Sequence, residues 1–229
     1  KALNPNTNVS ISEQIQLDPV GRLVDLQSLD GVLVWTAGIL KDHAYAGQLL
    51  APFRSIPLVS IGVDTPGVAC AVMDAYQGMV DLTSHLITNC GRRNIAFITG
   101  TPTNLDSQKR QQAYEDILRL HGLPIRQEYI VPGAFAWNSR EIGRQAAQEL
   151  IEKRQLRPDA IVAASDDLAI GALEWLRDQG IRVPDEISVT GFDDIPDCMS
   201  VYPALTTVLQ NTYDLAWRSV ELLLAQIEG

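Results

Sequence analysis

The sequence predicts an α/β protein of two doubly wound lobes, each built on a parallel sheet. Three observations carry this expectation. Short apolar runs alternate with longer helical patterns, the runs are continuous rather than alternating in polarity, and 229 residues suffice for two modest lobes. A continuous apolar run suits a parallel strand, because crossover helices cover both faces of the sheet.

The strand-like runs are Gly31 to Trp35 (GVLVW), Pro57 to Ile61 (PLVSI), Asn94 to Thr99 (NIAFIT), Ala160 to Ala164 (AIVAA) and Ile187 to Gly191 (ISVTG). Helical stripes lie between and after them. Met79, Leu82, Leu86 and Ile87 recur at three- and four-residue spacing. So do Tyr114, Ile117, Leu118 and His121, then Ile142, Ala146, Ala147, Leu150 and Ile151, then Leu168, Ala172, Leu173 and Leu176. The last segment puts Tyr213, Ala216, Trp217, Val220, Leu223, Leu224 and Ile227 on one face. Helix stops are legible at Gly91, at Gly122 with Pro124, and at Gly180 with Pro184. Strand, helix, strand in this order implies right-handed crossovers.

Composition excludes several classes. A formal charge of −10 gives nothing with which to neutralise phosphates in quantity, so the chain is not an ordinary basic DNA-binding unit. Cys70, Cys90 and Cys198 are odd in number, widely spaced and form no CxxC, which argues against a disulfide framework or a zinc cage. They fit thiols in a reducing cytoplasm. No run approaches the roughly 20 apolar residues of a membrane span, and KALNPNTNVS lacks the pattern of a secretory signal. Cytoplasmic localisation without membrane contact is expected.

In doubly wound folds ligands bind beyond the carboxyl ends of the strands. Polar groups follow four of the runs: Thr36 and Gly38 after GVLVW, GTPTNLDSQKR after NIAFIT, Ser165-Asp166-Asp167 after AIVAA, and Phe192-Asp193-Asp194 after ISVTG. No GxxxxGK[ST] or GxGxxG follows any strand, so no phosphate cradle is visible. There is no GxSxG elbow, and His43, His85 and His121 fit ordinary structural use better than general-base chemistry. No metal-ligand cluster and no cofactor site is implied. The two Asp pairs suit two-carboxylate catalysis of glycosides or a polar ligand pocket equally well. Each residue also has a structural use: Ser165 or Asp166 as a helix N-cap, Asp193 and Asp194 in a turn before Ile195-Pro196, Arg110 on a solvent face. Together, an Arg fork and Asp acceptors around one cleft hold a polyhydroxylated or small anionic compound by directional hydrogen bonds.

The segments HLITNCGRRNIAFITG (85 to 100), SQKRQQAYEDIL (107 to 118), PDAIVAASDDLAIGALEWLRDQGIRVPDEISVTGFDD (158 to 194) and YPALTTVLQNTYDLAWRSVELLLAQIEG (202 to 229) resemble the effector-binding domain of the LacI/GalR family. Its core is similar to type I periplasmic sugar-binding proteins. The resemblance covers about residues 56 to 229, and the combination of GFDD, PxLTTV and DDLAIGAL followed by GxxVP is its specific part. It implies two lobes, residues 1–72 with 211–229 and residues 73–210, joined by crossing strands that act as hinges near Cys70 to Met73 and near Leu209 to Asn211. It implies a small-molecule effector held between them, no catalysis, and a homodimer. Contact with DNA is expected only through a headpiece that this sequence does not contain, and the family's opening strand and helix are absent too.

Carried over by position, Arg110 matches the arginine that reaches the bound sugar or base. Asp193 matches the first Asp of GFDD. Asp166 matches the Asp of an Asn-Asp pair whose Asn is here Ser165, a shorter group without an amide donor. Asp74 in DAYQG and Trp137 after the strand near Ile130 are further matches, and Trp35 or Thr36 would contact the effector from the other lobe. Charge-assisted hydrogen bonds contribute about 1.5 to 3 kcal/mol each, so two made only in the closed form would shift a two-state balance by about two orders of magnitude. The same features fit the sensor module of a diguanylate cyclase, for which LDGVLVW, GMVDLTSHL and IVAASDDLAIGAL are at least as close, or the periplasmic sugar-binding protein of an importer.

Overall fold

The computed structural model describes residues 29–36 and 50–229. Gly38 and His43, noted above, lie outside the described residues. The chain divides into two compact units, Lys1–Val72 with Thr212–Gly229, and Met73–Asn211.

In the smaller unit, β1 (Val32–Trp35), β2 (Leu58–Ile61) and β3 (Ala69–Ala71) form a parallel sheet in the order β1-β2-β3. Register is set by Val32 opposite Leu58 and by Val59 opposite Ala69. The β2 residues are all buried, whereas β1 alternates between half-buried and exposed. Leu50, Phe53 and Leu58 form a small core. The C-terminal helix α5 (Thr212–Glu228) packs on this sheet. Its Gln226 side chain accepts from the Leu58 amide at 3.1 Å and donates to the Leu58 carbonyl at 3.2 Å. The face α5 buries carries Leu215 and Ser219. The stripe that periodicity singled out is the wetter one, with Tyr213 73% and Trp217 57% exposed.

The larger unit holds β4 (Ile95–Ile98), β5 (Ile130–Val131), β6 (Ala160–Ala163) and β7 (Ser188–Thr190), all parallel, in the order β5-β4-β6-β7. Helix α1 (Ala75–Thr88) precedes them, and α2 (Leu105–Leu120), α3 (Ser139–Gln148) and α4 (Asp166–Asp178) are the crossovers. Every residue of β4, β6 and β7 is buried, as expected for strands covered on both faces. The helices start and stop where local chemistry dictates. Asp74 caps α1 by accepting from Gln77 N at 2.9 Å, and Asn104 caps α2 by accepting from Ser107 N at 2.9 Å. Gly122 and Gly180 adopt positive φ of 66° and 73°, and the amides of Leu123 and Ile181 close the turns onto Leu118 and Leu176.

Helices α3 and α4 cross at backbone contact. A Cβ on Gly143 would lie 2.0 Å from the Leu168 carbonyl oxygen, and one on Gly171 1.8 Å from that of Arg140. This close crossing fixes the start of α4, where Ser165 and Asp166 lie. Beneath it, Phe97 stacks on Tyr114 at 4.8 Å, and the Tyr114 hydroxyl donates to the Ile95 carbonyl at 2.8 Å.

Candidate functional site

Four segments meet at the carboxyl ends of the larger sheet: residues 99–104 after β4, 132–138 after β5, 164–166 after β6 and 191–195 after β7. Helix α2 starts at this end, so Arg110, in its second turn, points at the strand ends rather than at solvent. It is 4% exposed. Its Nη1 donates to the Ala164 carbonyl and lies 3.3 Å from Asp193 Oδ1. The guanidinium carbon sits 3.8 Å from the centre of the Phe192 ring and 5.5 Å from that of Phe135. Such stacking fixes the plane of the fork. Its buried Nε has no hydrogen-bond partner among the described residues. Burial pulls the Arg110 pKa below its ordinary value, against the opposing influence of Asp193, Asp106 and Asp166.

Asp193 is held in an unusual backbone conformation, φ +123°, a region that favours glycine. Its amide donates to the Val208 carbonyl at 2.9 Å, which ties the turn to the 206–210 strap. Gln210 donates through Nε2 to the same Oδ1 that faces Arg110. The carboxylate is 32% exposed. Burial pushes its pKa up to about 6, while Arg110 draws it down and Asp166 adds to the rise.

Asp166 is placed differently from its neighbour in role. It is fully buried, and its carboxylate accepts from the Ile195 amide at 2.9 Å and from the Thr207 hydroxyl. The Cys198 thiol also bonds to it, and burial together with this carboxylate pushes that thiol up to about 12. Gly191 is required here, since a Cβ would lie 2.2 Å from Asp166 Oδ1. Asp166 therefore shapes the turn that carries Asp193, with its oxygens directed at protein donors. Ser165 occupies the N-cap position of α4, but its side chain makes no capping bond.

The remaining candidates make no hydrogen bond or ion pair with this pair within the larger unit, or belong to the smaller one. Asp74 is engaged as the α1 cap. Trp137 is 98% exposed in the loop after β5. Trp35 and Thr36 belong to the smaller unit: Trp35 is 51% exposed at the end of β1, and Thr36 is buried. The Thr36 hydroxyl lies 2.7 Å from the Ile61 carbonyl, to which it donates, 2.9 Å from Ser60 Oγ and 3.0 Å from Val63 N. Its hydroxyl proton is committed to Ile61 and one lone pair to Val63, while the Ser60 hydroxyl donates to the Val63 carbonyl at 2.8 Å.

Sequence reasoning did not single out Gln210, Phe135 or Asp106 as neighbours of the pair, and named Phe192 only as part of a strand-end segment. Phe192 adjoins Asp193 and Asp106 precedes Arg110 by one helical turn, so proximity to the chosen pair was the available signal. Burial raises the Asp106 pKa, opposed by Arg110 and Lys109. Gln210 and Phe135 reach the pair through tertiary folding, which no local pattern announces. Among the described residues no group of three or more His, Cys, Asp or Glu side chains is arranged to hold a metal ion. No described helix is long and apolar enough to cross a membrane.

Parallel strands buried on both faces, crossover helices and a buried Arg beside a part-exposed Asp at the carboxyl ends define an α/β ligand-binding domain. The family model described as periplasmic binding protein-like domain matches residues 83–229, and the chain belongs to that family. Within it the chain is an effector-binding domain of the LacI/GalR type. It is 29% identical to catabolite control protein A of Priestia megaterium over 198 residues, 86% of this chain and 58% of that protein. It is 30% identical to the HTH-type transcriptional repressor PurR of Haemophilus influenzae over 201 residues, 87% of this chain and 57% of that protein. The chain thus spans somewhat over half the length of these curated relatives. Among solved structures, a LacI-family sugar-binding transcriptional regulator from Escherichia coli complexed with phosphate superposes with a TM-score of 0.81 at 26% identity, covering 93% of this chain and 74% of that one. A complex of the transcriptional regulator CelR with cellobiose gives 0.80 at 29% identity, covering 94% and 64%.

Proposed function

We propose that the chain senses a small polar metabolite, a sugar or a related compound, for a bacterial transcription regulator, and releases it unchanged. The observation that carries this reading is the pairing of Arg110 with Asp193 at the carboxyl ends of β4, β6 and β7. Arg110 and Gln210 both donate to Asp193 Oδ1, so Oδ2 is the atom that accepts from a ligand hydroxyl. The phosphate and cellobiose in two structural relatives are ligands that an Arg fork and a carboxylate suit. Binding shifts a two-state equilibrium of the domain in proportion to its differential affinity for the two states. The regulator acts as a cytoplasmic homodimer and meets DNA through a headpiece outside this sequence.

Isothermal titration of a sugar, nucleoside and polyol panel tests this. One class binds the wild type, and Asp193→Ala and Arg110→Ala lose at least tenfold in affinity, with near-UV circular dichroism confirming that each variant is folded. Mass spectrometry after incubation recovers the ligand intact. Unchanged affinity in both folded variants removes the pair from the site, and a modified ligand makes the chain an enzyme.

A further inference from the structure

Away from Arg110, the larger unit contains two adjoining cavities of about 330 and 220 Å³. Leu173, Val183 and Pro203 line both, so the two form one trough. Its smaller part runs along β7, the edge strand, beneath the end of α1 and the 203–206 segment. Thr190 lines this part. The residue is 2% exposed, and its Oγ1 is buried with no hydrogen-bond partner among the described residues. A buried hydroxyl left unpaired is costly, and Thr190 borders this cavity. Cys90 and His85 line the same cavity, with Sγ 3.5 Å from Nε2.

The larger part has a different character. Leu173, Ile181 and Val183 supply apolar wall, and Arg177 and Arg182 bring guanidinium groups to its rim. Arg182 is paired with Glu186 at 2.9 Å, and Asp185 is the acidic residue of the lining. Two cations against two carboxylates make this stretch neutral within a chain of charge −10, and with Arg182 taken up by Glu186, Arg177 is the rim cation left for a ligand. A trough of this size, mostly apolar with a few polar groups, has the dimensions and chemistry of a small-molecule site.

We propose that the trough is a second ligand site, separate from the strand ends, for a small amphipathic anion. An apolar ring or short chain rests on Leu173, Val183 and Pro203, its anionic group meets Arg177, and a hydrogen-bonding group reaches Thr190. This site stands independently of the effector assignment.

The probe is 8-anilinonaphthalene-1-sulfonate, an aromatic anion that fluoresces on desolvation. Fluorescence titration of the wild type gives saturable binding of one probe per chain. Arg177→Glu weakens it at least fivefold, and Ala204→Trp, which fills the smaller cavity from an exposed position, weakens it at least as much. Asp193→Asn leaves it unchanged, which separates this site from the effector site. Saturating probe also slows alkylation of Cys90 by iodoacetamide, read by mass spectrometry. The proposal fails if binding does not saturate, or if Arg177→Glu and Ala204→Trp bind as the wild type does. It fails equally if only Asp193→Asn loses the probe, or if binding appears solely on dilution of a dimer, which would give the trough to a second copy.

Discussion

The two units carry apolar strands that look alike in sequence and fare differently in the fold. GVLVW in the smaller unit and AIVAA in the larger are both uninterrupted apolar runs. Yet all of β6 is buried, whereas Leu33 and Trp35 of β1 are 37% and 51% exposed. The helices diverge in the same way: α4 buries nine of its residues, from Asp166 to Leu176, and α5 buries Leu215 and Ser219. Polar burial differs more sharply still. Among the described residues the smaller unit buries only hydroxyls, Thr36, Ser60, Thr65 and Ser219, while the larger buries Arg110 and Asp166. Buried charge is expensive and persists where partners and function hold it. The contrast supports the proposed assignment of the ligand chemistry to the larger unit.

The largest expected effect tests that contrast between charge and hydroxyl. Asp166→Ala leaves the Ile195 amide and the Thr207 hydroxyl without their acceptor, and two buried donors orphaned at about 1 to 3 kcal/mol each cost about 2 to 6 kcal/mol. Thr36→Val removes a neutral hub from the smaller unit and costs about 1 to 3 kcal/mol. Urea unfolding, followed separately for each unit by its own tryptophans, ranks the two. An Asp166→Ala loss no greater than that of Thr36→Val would erase the distinction.

Next in size is a pair of apolar truncations. Leu168 is fully buried at the α3–α4 crossing, so Leu168→Ala costs about 2 to 5 kcal/mol. Val220 lies on the wet stripe of α5 at 44% exposure, and Val220→Ala stays within about 0.5 kcal/mol. The same denaturation experiment measures both. A loss above 2 kcal/mol for Val220→Ala would show that the stripe is covered in solution.

Much of this is legible in the sequence. Apolar runs without alternation marked the buried strands β4, β6 and β7, and helix-ending glycines marked the turns at Gly122 and Gly180, because both signals are local. The strands Ala69–Ala71 and Ile130–Val131 are too short to stand out as apolar runs, and pairing with β2 and β4 defines them. On α5 the periodicity found a genuine stripe, but one helix carries two partly apolar faces, and only packing against the sheet selects Leu215 and Ser219. At the site, strand-end position singled out Arg110, Asp193 and Asp166 alike. Asp166 adjoins the same end, yet its oxygens turn inward to Ile195 and Thr207, a choice set by the path of the 206–210 strap.

The smallest effect is the most diagnostic, because one carboxylate should give two pH dependences of opposite sign. Asp193 titrates at about 6 in the folded chain, above the roughly 3.9 of an unfolded Asp. Its raised value means that the folded state binds the proton more tightly. The stabilisation is fully present below about pH 3.9 and is lost as pH rises through about 6. Ligand affinity runs the other way, since a sugar hydroxyl donates to the charged carboxylate, and protonation removes that acceptor. Affinity measured by titration calorimetry at pH 5 falls about tenfold below its pH 7 value, while this carboxylate's contribution to stability rises. Asp193→Asn flattens both curves. If affinity holds constant from pH 7 to 5 in the wild type, the ligand does not use Oδ2 of Asp193, and the buried charge of the larger unit serves its architecture instead.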